Sequence, residues 1–354
     1  MKTLRRQSAL RWLRANLFSS VFNASLTLVA LYLLLRAAIA VVRWGLVDAV
    51  WSAPDGRACL AASQGAGACW AFIGVWHRFI LFGRYPYDEQ WRPLLVVVIC
   101  IAVLLASCRR ALWGRRLAAL WLGGLIASGV LMAGGVFGLA PVPSDLWNGL
   151  PLTLMLSVLG LAAAFPLSIA LALARRSSLP AVRALAVGYI EIVRGVPLVT
   201  VLFMATVMLP LFLPAGVTLN KLACAQAGLI LFYAAYLAEV VRGGLQAIPA
   251  GQYEAADALG LGYWRRTRLV ILPQALSIAI PPLVNTFIAA FKDTTLVTIV
   301  GLFDLIATAG NAITDPAWRG FFAEAYVFVG AIYFVFCGFM SRYSGELERG
   351  RGEP

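Results

Sequence analysis

Glu254-Ala255-Ala256, then Gly260, then Val270-Ile271-Leu272-Pro273 mark a stretch that is polar and basic, yet lies between two long apolar runs. Such a stretch reads as a folded loop on one face of a membrane. Residues 254–259 suit a short helix, and Gly260 suits its end, where the chain must turn with φ > 0. Arg265, Arg266 and Arg268 cluster just beyond, at the membrane edge. Pro273 is placed to reset the chain direction into the next helix. Read without regard to the spacing, the same residues would make an ordinary basic loop.

The rest of the chain supports the membrane setting. Of 354 residues, 61% are hydrophobic and only 13% charged, against about 25% charged in soluble domains. The mean hydropathy is +0.84. The net charge of +13 would suit nucleic acid, but its placement argues otherwise. The basic residues fall in clusters between apolar runs: Arg5, Arg6, Arg11 and Arg14; Arg109, Arg110, Arg115 and Arg116; Arg175, Arg176 and Arg183; Arg265, Arg266 and Arg268. That is how cytoplasmic loops are marked in membrane proteins.

Runs of about 20 apolar residues, enough to span a bilayer, occur at roughly 20–43, 93–109, 117–140, 150–174, 184–213, 222–246, 276–300 and 320–341. The expected fold class is therefore an all-α membrane protein with about eight transmembrane helices. The first run is too long for a signal-peptide core and reads as a retained helix, despite Ala38-Ile39-Ala40 near its end. The fifth is long and is expected to break near Pro197. The seventh carries Lys292 and Asp293 and cannot be a plain span. Eight spans place both termini on the side of the basic clusters, the cytoplasm. Loops 44–92, 141–149, 214–221 and 301–319, which hold Asp48, Asp55, Asp88, Glu89, Asp145, Asp304 and Asp315, then lie outside.

Pro141-Val142-Pro143-Ser144-Asp145 breaks the chain, with Ser144 or Asp145 able to cap the helix that follows. This divides residues 1–147, an extension with three spans and a long outside loop, from 148–342 and a tail at 343–354. Cys59 and Cys69 lie in that outside loop. If the loop is extracytoplasmic they can form a disulfide, although spacing alone does not establish it. The other four cysteines lie in or beside apolar runs. No Cys/His arrangement has metal-ligand spacing, and His77 is the one histidine.

The spacing E-A-A-x3-G-x9-[I/V]-x-L-P resembles the loop by which permease subunits of ATP-binding-cassette importers grip their ATPase. From about 148 to 341 the likeness is to the polar-amino-acid subfamily. It rests also on Tyr189-Ile190-Glu191-Ile192-Val193-Arg194-Gly195-Val196-Pro197-Leu198, on Ala238-Glu239-Val240-Val241-Arg242-Gly243-Gly244-Leu245, and on Pro281-Pro282-Leu283-Val284-Asn285 with Lys292-Asp293-Thr294-Thr295-Leu296. The extension, through Gly67–Phe72 and Phe82–Pro93, is similar to the permeases for general L-amino-acid uptake. Val270 and Thr295 are mild departures from the commoner Ile and Ser. The resemblance implies a five-helix type I importer core and a multi-pass protein of the bacterial inner membrane. It implies a permease subunit that forms half of an L-amino-acid pathway. The partners implied are a cytoplasmic ABC ATPase dimer carrying ATP and Mg, a homologous second permease and a periplasmic amino-acid-binding protein. No partner role for nucleic acid is implied, and lipid surrounds the spans.

No residue needs to be a catalyst. The chain has no G-x4-G-K-[ST] loop, so ATP is not bound by that route; no cofactor is expected on this chain and it is not expected to be an enzyme. Coupling falls to Glu254, Ala255, Ala256, Gly260 and Pro273. Glu254 is expected to make a charge-assisted hydrogen bond, with the ATPase or within the loop. Ala255 and Ala256 leave a small face for close approach. Ionisable residues inside a membrane usually face the bundle interior. Glu191 with Arg194, and Glu239 with Arg242, are three apart on helices and read as structural ion pairs. Lys292, Asp293, Thr294 and Thr295 interrupt an apolar run near its centre. Together with Asn285 they read as substrate path or gate, or as a Lys–Asp latch. An ion-driven secondary transporter or channel for small polar solutes is the alternative; it would need no ATPase loop.

Overall fold

The computed structural model describes residues 9–112, 114–214 and 219–349. Arg5, Arg6 and the last five residues of the tail lie outside the described residues. Every regular element among the described residues is helical; two isolated β-bridges, Val50 to Cys69 and Gly149 to Asp304, are the only extended pairings. In chain order the helices are α1 (Ala9–Asn16), α2 (Val21–Val47), α3 (Gly56–Ser63), α4 (Trp70–Phe82), α5 (Tyr87–Ser107), α6 (Arg115–Ala133), α7 (Gly149–Arg175), α8 (Pro180–Gly195), α9 (Leu198–Leu211), α10 (Lys221–Gln246), α11 (Ala250–Ala258), α12 (Tyr263–Val300), α13 (Leu305–Ala312) and α14 (Phe322–Arg349). Seven are long and apolar enough to cross a membrane, and the bent pair α8–α9 makes an eighth.

The chain forms two compact units. One holds the residues up to Val75 together with Asp315–Glu324; the other holds Trp76–Thr314 and the chain from Ala325 on. Residues upstream of 148 therefore contribute to both.

The larger unit is built on α10. Its buried face mixes small residues, Ala225, Gly228, Ala234, Ala235, Ala238 and Gly244, with the larger Leu229, Phe232, Tyr233, Leu237, Val241 and Leu245. Small residues let backbones approach, which is the main packing device where lipid is as apolar as leucine. At Gly244 the approach is closest. A β-carbon there would lie 2.4 Å from the carbonyl oxygen of Ala275 on α12. Ala164 and Ala172 of α7, Ile190 of α8, Leu198 and Leu202 of α9 and Ala275, Ala279 and Leu283 of α12 complete this core.

One helix break follows from proline chemistry. Val196 is extended, at φ −104° and ψ 133°, because the ring of Pro197 disfavours a helical residue before it. The axes of α8 and α9 consequently differ by 105°, at the break expected near Pro197. Pro273 behaves differently from expectation. The helical run is continuous from Tyr263 to Val300, and Pro273 sits just after a wide π-turn at Thr267–Ile271. It resets no direction, because the chain has already turned at 260–262 and a π-turn leaves room for a residue without an N–H.

Two other expectations are corrected. Neither Ser144 nor Asp145 caps α7. Both lie in a 3-10 turn, Ser144–Leu146, and Asn148 occupies the cap position without a side-chain bond. The Ser144 hydroxyl instead accepts from Asn220 Nδ2 at 2.8 Å. The third span ends at Ala133, not near 140. Fully buried Arg92 donates to the carbonyls of Leu131 and Ala140 at 2.6 and 2.9 Å, so the last turn of α6 is capped by a side chain and the chain beyond it folds back.

Candidate functional site

The loop read first from the sequence folds as a nine-residue helix, α11, between α10 and α12. Gly260 has φ +70°. Its N–H donates to Asp257 O at 2.9 Å, and Leu261 N–H donates to Ala256 O at 3.1 Å. This pair of bonds closes a helix through a left-handed residue. Nothing lies within 4 Å of where a Gly260 β-carbon would stand, so the requirement for glycine is conformational, not steric. Glu254 and Ala255 are exposed while Ala256 is 3% exposed. No hydrogen bond or ion pair engages Glu254 among the described residues, which leaves its carboxylate open to solvent.

The helix is held from behind. Tyr253 Oη donates to Leu245 O at 3.3 Å and meets Arg176 Nη1 at 3.0 Å. Arg176 also donates to Leu245 O at 3.1 Å. Arg266 pairs with Asp257 and stands over the Tyr253 ring. Gln274 Nε2 donates to Gln252 Oε1 at 3.0 Å. These contacts tie α11 to the ends of α7, α10 and α12.

The charged pairs are arranged otherwise than sequence spacing suggests. Glu239 and Arg242 do pair, at 2.7 Å. Glu191 pairs with Arg175 of α7 at 2.9 Å and not with Arg194. Arg175 reaches Glu239 as well, at 2.7 Å, and Arg194 lies 3.6 Å from the same carboxylate. Glu239, only 13% exposed, is thus shared by three guanidiniums from three helices. The i, i+3 rule finds partners on one helix only; Arg175, the residue that joins the pairs, lies on another.

At Lys292–Asp293 the helix changes type. The α-helical part of α12 ends at Asp293, and Thr294–Val300 is 3-10. Asp293 Oδ2 accepts a 2.7 Å hydrogen bond from Tyr233 of α10. No ion pair links Asp293 to Lys292 among the described residues, so the latch reading does not describe this arrangement. Thr294 is fully buried and donates to Phe291 O at 2.8 Å, while Thr295 is half-buried. Asn285 and Lys292, seven apart and so on one helix face, are both exposed.

Asp304 is a polar centre that sequence reading placed only in an outside loop. It is 0% exposed and caps α13 through Ala307 N–H at 2.9 Å, and Tyr333 Oη donates to its other oxygen at 3.3 Å. Burial pushes its carboxyl above the usual carboxylate range, opposed by the N–H groups of Ala307 and Ile306 and by Tyr333. Its position before Leu305-Ile306-Ala307 is a cap signal; Tyr233 and Arg175 carry no comparable one. In the other unit, Cys59 and Cys69 are joined by a disulfide, with Cα atoms 6.1 Å apart.

A set of apolar spans presenting one short helix on a basic loop defines a polytopic membrane protein. The profile described as "Binding-protein-dependent transport system inner membrane component" matches residues 164–347. The chain is 48% identical over 343 residues to the inner membrane amino-acid ABC transporter permease protein YhdY of Escherichia coli K12, across 96% of this chain and 92% of that protein. It is 40% identical to the glutamate/glutamine/aspartate/asparagine transport system permease protein BztC of Rhodobacter capsulatus, across 96% and 93%. The crystal structure of an amino acid ABC transporter with histidines superposes with a TM-score of 0.51 at 33% identity, across 57% of this chain and 91% of that one. The chain belongs to the binding-protein-dependent transport system inner membrane component family. It is a multi-pass inner-membrane permease, the non-catalytic subunit of an ABC transporter.

Proposed function

We propose that this chain conducts L-amino acids as one half of an ATP-driven importer and couples to a cytoplasmic ATPase dimer through residues 250–273. ATP and Mg belong to that partner. A homologous second permease completes the pathway, and a periplasmic binding protein delivers the substrate. Residues 148–342 are the type I transmembrane domain, 1–147 its extension and 343–354 a tail. The observation that carries the reading is α11, with Glu254 and Ala255 exposed and unengaged, Gly260 in the left-handed region, and the helix tied to three spans through Tyr253, Arg266 and Gln252. A helix so held can act as a lever when its partner moves.

Both termini are cytoplasmic in this reading. The basic clusters support that orientation, and a disulfide at Cys59–Cys69 suits an oxidising compartment for loop 44–92. Asn285, Lys292, Asp293 and Thr295 line the path or its gate, while Thr294, fully buried and bonded to Phe291 O, supports the turn between them. A charge facing lipid costs about 2.5–3.5 kcal/mol on insertion scales, so the exposed face of α12 with Asn285 and Lys292 suits water, substrate or the second permease better than lipid.

The test is the ratio of transport to ATP hydrolysis in reconstituted complexes. Gly260→Val and Glu254→Lys should insert normally and lower that ratio at least fivefold. Wild-type ratios in both would defeat the coupling assignment. Competition of all L-amino acids against one labelled substrate measures the breadth of the pathway.

A further inference from the structure

The smaller unit contains a contact between segments far apart in the chain. Cys69 N–H donates to Glu324 Oε1 at 2.8 Å across 255 residues. Both partners are inaccessible, with Cys69 at 1% and Glu324 at 6% exposure. Cys69 is also one end of the disulfide, whose other end, Cys59, is 0% exposed on α3.

The surroundings repeat the same pairing. Asp55 caps α3 through Ala58 N–H at 2.7 Å, and Gly56 N–H donates to Ala317 O at 3.0 Å. A β-carbon at Gly56 would fall 2.6 Å from that oxygen and 2.7 Å from the Phe321 ring. Phe72 stacks on Phe321, with centroids 5.9 Å apart, and tilts against Trp318 at 6.1 Å. All three rings are buried. Residues 55–72 and segment 315–324 thus share one buried interface with a carboxylate inside it. That carboxylate lies in the first turn of α14, the end of a helix that favours negative charge.

We propose that Glu324 is a positioning residue for transport: with the Cys59–Cys69 bond it closes a clasp that fixes segment 315–324, the connection from α13 into the last span. The disulfide holds Cys69 where its N–H can meet Glu324, and Glu324 shields the disulfide from solvent. Each needs the other. The functional half of the proposal rests on the importer reading above. The connection that the clasp fixes lies in the loops assigned to the outside, where a loaded binding protein would dock. A loosened clasp therefore weakens the productive encounter more than it slows turnover.

The experiment uses the whole reconstituted complex with free thiols blocked beforehand. Dithiothreitol is added, and newly exposed cysteines are counted by the mass added by maleimide-polyethylene glycol. In wild type the disulfide should resist reduction until denaturant is added. Glu324→Ala should shorten the reduction half-time at least tenfold. Glu324→Gln, which keeps an acceptor oxygen for Cys69 N–H, should stay within twofold of wild type. In uptake, Glu324→Ala and the double variant Cys59→Ser/Cys69→Ser should each raise the apparent KM for loaded binding protein at least threefold, with kcat within twofold. Combining all three changes should add nothing further. Wild-type protection in Glu324→Ala would overturn the clasp, as would an unchanged KM in both variants. If Glu324→Ala does not assemble, the double cysteine variant and Glu324→Gln decide the same two points. A wild-type complex without amino-acid uptake would defeat the importer reading instead, while the reduction arm still tests the clasp.

Discussion

Two spans of this protein are built on opposite plans. The span Val21–Val47 is the more apolar of the two, yet none of its most apolar window is buried within the chain; for Lys221–Gln246 the share is 61%. Hydropathy ranks them in the reverse order of burial. In water an apolar helix is driven to the interior. In lipid that drive is absent, and contact is won by shape. The first span carries Leu28, Leu31, Leu33, Leu34 and Leu35, all exposed. The other sets alanine and glycine among the larger side chains of its packed face. The long aliphatic residues of the first span face outward, whereas the small residues of the other let its neighbours approach.

The comparison can be broken at its strongest point first. Gly244→Leu should force α10 and α12 apart, because the obstructing atom is backbone. We expect a loss of about 3 kcal/mol or failure to assemble, read by thermal unfolding in detergent. A variant that melts like wild type would show that small residues are not what holds α10.

Glu239→Ala should come next. It leaves Arg175, Arg194 and Arg242 around a vacated carboxylate. Breaking a largely buried charge cluster from its single shared partner costs about 2 kcal/mol once partial solvent access is allowed for. Arg242→Ala should cost less, since Arg175 still answers Glu239. Equal losses in the two variants would mean that Glu239 is not the hub.

Tyr233→Phe removes one hydrogen bond to the Asp293 carboxylate, a loss of about 1.5 kcal/mol. If Asp293 lines the path, the same variant should alter the preference among acidic, neutral and basic amino acids. Unchanged preference would confine Asp293 to a structural role. The smallest effect belongs to the first span. Leu31→Ala, at a position 59% exposed, should change stability by less than about 0.5 kcal/mol. A larger loss would show that this face meets a partner chain, and would move the span into the packed class.

Much of the architecture was legible in the residues. Eight apolar runs correspond to seven spans and one bent pair, because crossing a bilayer requires a minimum apolar length whatever the helix packs against. The break at Pro197 and the turn at Gly260 were equally plain, since proline and left-handed glycine act on the backbone locally. Run ends were read less well. The third span stops at Ala133, where Gly134 turns at φ +65° and Arg92, about 40 residues upstream, takes the carbonyl of Leu131. Gly134-Gly135 is a local stop signal, but the apolar residues beyond it hide the end, and nothing nearby announces Arg92.

Among the site residues, α11 needed only local information: a short helix, an exposed acid and a glycine end. The polar groups inside the spans needed more. Glu191 and Glu239 were recognisable as charges requiring partners, but Arg175 as their common partner was not. Tyr233 gave no sign of its role, and Asp304 signalled a helix cap without its contact to Tyr333.

By itself, the sequence determined what depends on neighbours along the chain: the number of spans, the loop charge, the break at Pro197 and the left-handed turn at Gly260. The tertiary structure alone decided which helices pack, which arginine answers which glutamate, and that Cys69 meets Glu324. The physical reason is range. Backbone sterics and transfer to lipid act within a few residues or over one helix, whereas a charge or a small face is satisfied by whatever lies opposite it, however far along the chain.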